Sequence, residues 1–95
     1  MIITDADIVM VFGNLLNKSK SREEVARWAN SIREAEDASM LKYVPIERES
    51  DIWQAILFLA GVDFKDAPNE YLHSENDVKN ALMKFQKINC NASHF

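Results

Sequence analysis

Between Ser50 and Gly61 the chain reads Ser-Asp-Ile-Trp-Gln-Ala-Ile-Leu-Phe-Leu-Ala-Gly. Ile52, Trp53, Ile56, Leu57, Leu59 and Ala60 leave Gln54 as the only polar residue in the interior, so a helix here is apolar around most of its circumference. Such a helix needs partners on several sides and belongs in the middle of a core. The spacing predicts a start at Ser50 or Asp51 and a stop at Gly61, a residue suited to the left-handed position after a helix end. At 95 residues the chain is one domain, large enough to bury roughly 60 to 65% of its unfolded surface. Two glycines and two prolines are few breakers, which favours an all-α chain.

Three further helices follow from periodicity and capping. Ile8, Val9, Val11, Phe12, Leu15 and Leu16 mark one over Thr4 or Asp5 to about Asn17, with Thr4 and Asp7 as a weak capping box. Gly13 inside it predicts a close helix crossing. Ser21 and Glu24 form a stronger box opening a second helix to about Ala38, with Val25, Trp28, Ala29 and Ile32 inward. Ser74 and Asp77 open the last, from Glu75 to about Lys87, with Val78, Ala81, Leu82 and Phe85 inward. Ser39 to Glu49 shows no sustained period, and Pro45 stops a helix from crossing it. It reads as a short helical turn and a packed connection, because a hairpin there has no partner run of matching length. Phe64 is expected against the central helix, Lys65 to Glu70 as a surface loop, and Tyr71 and Leu72 back in the core. The prediction is a compact bundle of four main helices with short extra turns, spanning residues 4–88, and a frayed tail over 89–95.

Chemistry is sparse. There is no Gly-rich phosphate loop and no Gly-x-Ser-x-Gly, so an enzyme is not expected. His73, beside the cap Ser74, suits a structural hydrogen bond better than general-base work. Cys90 and His94 have the spacing of half a metal site but lack two further ligands, and no cofactor or metal is predicted. The single cysteine permits no internal disulfide, and neither a signal peptide nor a membrane-length apolar run is present, which points to the cytoplasm and to no membrane partner.

Charge is distributed unevenly. From Glu34 to Asp77 there are eleven carboxylates and three bases, a net of −8 in a chain whose total is −4. The carboxylates fall at helix ends and connections, where they can be displayed without occupying core faces. One reading is a solvated surface; the other is a face that captures a basic protein. Glu34, Glu36 and Asp37 close the second helix against its dipole. They join Glu47, Glu49 and Asp51, and the loop residues Asp63, Asp66 and Glu70, as the candidate contact, with Tyr71 at the loop junction as an aromatic addition. Lys18, Lys20 and Arg22 make one small basic turn, and Lys79, Lys84 and Lys87 are spread along a helix with no interleaved aromatic stripe. Nucleic acid is therefore not the expected partner, and a helix-turn-helix is the main form it would take.

Trp28-Ala29, Trp53, Leu59-Ala60-Gly61-Val62-Asp63-Phe64 and Tyr71-Leu72-His73-Ser74 with Asp77 form a pattern that resembles small acidic bacterial toxin-immunity proteins. The layout over about residues 5 to 87 is similar to the helical immunity proteins of contact-dependent growth inhibition and, more distantly, to colicin D immunity protein. The resemblance implies a cytoplasmic antitoxin, a monomer in a 1:1 complex, covering the cationic cleft of a cognate toxin domain such as a nuclease. The alternative is an acidic adaptor or regulatory module that binds another protein; a DNA-binding regulator ranks below both.

Overall fold

Thr4 ends a strand and begins a helix. The computed structural model describes residues 1–68 and 70–92, with the side chains of 1–65, 68 and 70–86. Strand β1 (Ile2–Thr4) runs directly into helix α1 (Asp5–Leu16). The Thr4 hydroxyl accepts from the Asp7 amide at 3.0 Å while the Asp7 carboxylate accepts from the Thr4 amide at 3.0 Å. This reciprocal pair satisfies two of the donors a helix start leaves open. Helix α2 (Arg22–Asp37) opens with the same device on Ser21 and Glu24. Strand β2 (Lys42–Val44), a single 3₁₀ turn over Ile46–Arg48, helix α3 (Glu49–Ala60), strands β3 (Lys65–Ala67) and β4 (Glu70–Tyr71), and helix α4 (Glu75–Ala92) complete the order. Ser74 and Asp77 cap α4 in the third reciprocal pair.

Helix α3 takes the central place its composition requires, packing on α1, α2 and α4 and touching β2. Ile52, Ile56 and Leu59 are fully buried with Phe12, Ile8 and Ile3, and Val62 and Val78 close the same core. Trp28 and Trp53 pack against its edge, half-buried.

The fold is mostly helical, with four helices, and is not strictly all-α. β1 and β2 pair in parallel, Ile2 opposite Lys42 and Thr4 opposite Val44, and β3 and β4 form a short antiparallel hairpin where a loop is expected. The partner of β2 is the N-terminus, about forty residues away, and three-residue strands are too short to show a period. Inward-facing Ile3 and Tyr43 join the core, which holds the ribbon against the helices.

Four local expectations are corrected. Helix α3 starts at Glu49 with no side-chain cap, and Gly61 has φ −104°, so the helix ends without a left-handed residue. Left-handed positions instead fall on Lys18 (φ 66°) and Ser39 (φ 58°). A Cβ added at Gly13 meets nothing within 4 Å, so no close helix crossing exists there. Leu72 and Phe64 are exposed, although the Phe64 ring still lies against Gly61, 3.3 Å from where a Cβ would stand.

The Gly13 vacancy makes a direct prediction. Gly13→Ala, at a helical position with open space, should raise stability by up to about 1 kcal/mol and the melting temperature by roughly 4–8 °C; a calorimetric melt reads it. An unchanged or lower melting temperature would mean that the glycine serves a contact the fold does not display.

Candidate nucleic-acid interface

Two of the four arginines are spent on the fold. Arg48 is the buried charged residue among those described. Its guanidinium donates to the Phe85 carbonyl at 3.0 Å, lies 4.2 Å from the Phe85 ring centroid, and sits 3.8 Å from Asp5 and 3.7 Å from Asp51. One side chain thus ties the starts of α1 and α3 to α4. Arg22 does comparable work at the other tyrosine-bearing corner, donating to the Val62 carbonyl at 3.2 Å and to that of His73, 2.6 Å away, with its plane 4.3 Å from the Tyr71 ring. The basic turn seen in the sequence therefore loses Arg22 to structural use.

The remaining bases of that region stay outward. Lys18 and Lys20 lie in the turn after α1, and Arg27 and Arg33 are exposed on α2. Among the described residues the side chains of Lys18 and Arg27 make neither a hydrogen bond nor an ion pair. Lys20 is 3.9 Å from Glu24, an exposed pair of little energetic weight. Arg33 only reaches Asn30, at 3.2 Å. Lys20 lines two adjoining grooves. The first, about 470 Å³, also holds Lys18, Ser19, Ser21 and Tyr71. The second, about 520 Å³, runs between α1 and α2 past Asn14, Arg27, Trp28 and Ser31. Lys18, Lys20 and Arg27 thus share one continuous surface beside a half-buried tryptophan, and Arg33 is exposed further along α2. Over residues 17–33 five bases oppose two carboxylates, a net of +3 in an acidic chain.

Three carboxylates, Glu23, Glu24 and Glu75, also line the first groove, and the first two are engaged. The Tyr71 hydroxyl donates to Glu23 at 2.9 Å, and that bond, ahead of the nearby cations, holds the Glu23 carboxyl below its ordinary range and lifts the phenol above its own. Glu24 is lowered chiefly by the Ser21 amide it accepts from in the cap.

The candidate acidic contact is distributed around two different tyrosines. Glu36 and Glu49 approach Tyr43, whose hydroxyl donates to Glu36 at 3.0 Å; burial first, then that bond, raises the phenol's pKa. The carboxylate that looks misplaced at the end of α2 thus has a structural partner. Asp51 faces Arg48. Glu34, Asp37 and Glu47 are exposed, as is Glu70 on β4, while Asp63 is half-buried beside Tyr71. Tyr71 is held between Arg22 and Lys65, whose ammonium is 5.4 Å from the ring. The side chains of Asp66 and Cys90, and the whole of His94, lie outside what the structure describes. Among those described, no group of three His, Cys, Asp or Glu side chains could hold a metal ion, and no helix is long and apolar enough to cross a membrane.

These features describe a small helical domain whose free positive charge is concentrated on one turn and the helix after it. The chain belongs to the YxzC DNA-binding protein family, whose model matches residues 3–85. It is 31% identical over 72 residues to Uncharacterized protein YxzC of Bacillus subtilis (strain 168), a match covering 76% of this chain and 53% of that protein. The chain therefore spans about half the length of that relative. No solved structure matches.

Family membership overturns the toxin-immunity reading, together with its cognate-toxin partner and the expectation of no nucleic acid. The residues behind that resemblance explain the error. Ala29, Leu59, Ala60 and Val62 are buried, Ser74 is a helix cap, and His73 rests on Phe58 at 4.6 Å. Such positions report packing and say nothing of the partner.

The Glu23–Tyr71 bond gives a pH test. Its contribution is present above the ordinary carboxylate range and is lost as pH falls through the lowered Glu23 value. On the alkaline side it is present below the ordinary phenol value of 10.0 and lost as pH rises through the raised one. Tyr71→Phe should therefore be less stable than the parent at neutral pH, with the gap closing below about pH 4; urea unfolding across pH 3 to 8 reads the difference. A gap independent of pH would assign the loss to the ring's surroundings rather than to Glu23.

Proposed function

We propose that this chain is a DNA-binding protein that acts by binding alone, and that Lys18, Lys20 and Arg27 form the face that meets the phosphate backbone, with Arg33 further along α2. Membership of a family described as DNA-binding carries the reading, and the charge geometry supports this choice of face.

Lys18 supports the location independently. A left-handed backbone costs a non-glycine residue roughly 1 kcal/mol or more, and glycine is the usual occupant of the position after a helix end. A lysine there sacrifices stability while it sets a cation at the tip of the turn. Unpaired bases next to an exposed helix face are the minimum that backbone contact requires. Arg27 on that face supplies a group able to meet a base edge, whereas the Asn30 amide and the Ser31 hydroxyl donate to the Ala26 and Trp28 carbonyls.

Three to four phosphate contacts imply modest affinity. The logarithm of the binding constant should fall against log salt with a slope of roughly −3 to −4. Fluorescence anisotropy on a labelled duplex, from low to physiological salt, measures it. Lys18→Ala, Lys20→Ala and Arg27→Ala should each flatten the slope by about one, whereas Lys79→Ala and Lys84→Ala on α4 should leave it unchanged. If the α4 changes flatten it instead, the face is wrongly placed, and if the parent chain binds no duplex even at low salt, DNA binding itself is refuted. Lys18→Gly separates fold from function: stability should rise by about 1 kcal/mol while DNA affinity falls.

A further inference from the structure

The β1–β2 ribbon has two faces, and only one is accounted for by the core. Ile3 and Tyr43 point inward and are buried. The parallel register places Ile2, Lys42 and Val44 on the opposite face with the capping residue Thr4. A strand with one face in water normally carries polar side chains on that face. Here Ile2 is 62% exposed and Val44 48%. Met40, two residues before β2, is 65% exposed, and Ile46, two residues after it, is 62% exposed. Four large apolar side chains are thus displayed along one short ribbon, a grouping that marks an interaction surface more often than an accident of composition.

We infer that a second copy of this chain docks on this face about a two-fold axis. Charge along the ribbon selects that occupant and that symmetry. Lys42 stands at the beginning of β2, and Glu47 and Glu49 stand at the far end, just beyond Ile46. Neither the Lys42 nor the Glu47 side chain has a hydrogen-bond or ion-pair partner among the described residues. A two-fold axis crossing the ribbon runs the two copies antiparallel, so the basic end of each meets the acidic end of the other while the apolar middles face one another. A parallel stacking would set lysine on lysine and glutamate on glutamate. The sheet face is self-complementary only in the first arrangement.

This contact lies on elements other than the basic turn and stands whether or not the chain binds DNA. Where both hold, the dimer carries two basic turns and about twice the phosphate contacts of one copy.

Sedimentation velocity on the full chain over a range of concentrations tests it, with thermal melts confirming that each variant is folded. The parent should interconvert between monomer and dimer. Ile46→Glu, at an exposed position, should weaken the dimer by about tenfold or more, and Leu72→Glu, on the separate apolar pair Phe64 and Leu72, should leave it unchanged. Lys42→Glu and Glu47→Lys should each weaken association, and the two together should restore it. A parent that stays monomeric at its highest attainable concentration overturns the proposal. So does a dimer lost with Leu72→Glu and kept with Ile46→Glu, or assembly that continues past two copies, since a two-fold contact closes on itself.

Discussion

A guanidinium inside a core of this size is costly unless its surroundings replace water on every side, and the arrangement around Arg48 does so. One carbonyl accepts from it, an aromatic face covers it, and two half-exposed carboxylates flank it. The 3₁₀ turn that carries Arg48 follows β2 immediately, so the ribbon, the start of α1, the start of α3 and the middle of α4 are fixed relative to one another through one residue. Helix α3 can then lie at the centre with apolar partners on three sides, because the polar ends of its neighbours converge on a single charge. Arg22 repeats the logic where α2, the segment after α3 and the segment before α4 meet, joining backbone carbonyls of residues 62 and 73 that have no secondary-structure partner across that gap.

Those two clamps also decide where positive charge remains available. A count by sequence treats every base alike and finds an acidic middle with a scatter of lysines and arginines. In the folded chain the arginines divide into two that hold elements together and two that stand outward on α2. Carboxylates divide in the same way: Asp5 and Asp51 answer Arg48, Glu23 and Glu36 accept from tyrosines, and Asp7, Glu24 and Asp77 close helix caps. Much of the formal charge is thus consumed locally, and net charge per segment is a poor guide to the partner.

Three helices were legible because each combines a 3.6-residue period with a reciprocal cap, and Thr4–Asp7, Ser21–Glu24 and Ser74–Asp77 all form; α3, which has no side-chain cap, was legible from its apolar run alone. What lay beyond reach was contact between distant residues. Ile2-Ile3 and Tyr43-Val44 carry no sign that they pair, Arg48 looks like any solvated charge beside a glutamate, and Gly13 and Gly61 suggest roles that their surroundings do not support. The candidate site was half visible. Lys18, Lys20 and Arg22 stood out as a basic turn, but the fold removes Arg22 and adds Arg27, about one and a half turns of helix further on, through a groove whose far wall is α1. Trp28, read as core, packs inward with one part of its ring system while the same side chain lines that groove. Neither fact follows from spacing alone.

Lys18 shows how conflicting demands are settled in so small a domain. The turn after α1 is closed by the Lys18 and Lys20 amides reaching back to the Leu15 and Asn14 carbonyls at 3.4 and 3.2 Å, and the second of these bonds depends on the left-handed backbone at position 18. At the end of α2 the same geometry recurs at Ser39, whose amide and that of Met40 bond the carbonyls of Glu36 and Ala35 at 2.9 and 2.8 Å. Glycine would serve the backbone better at both places. Serine at the second position is small and can form local hydrogen bonds. Lysine at the first has neither property, and its ammonium has no partner among the described residues, so nothing described in the fold compensates for the conformation. A residue that is unfavourable to the fold and available to solvent is the kind of position where backbone strain accompanies function. At the tip of a turn that leads into the one strongly basic stretch, polyanionic backbone is the chemistry that position suits.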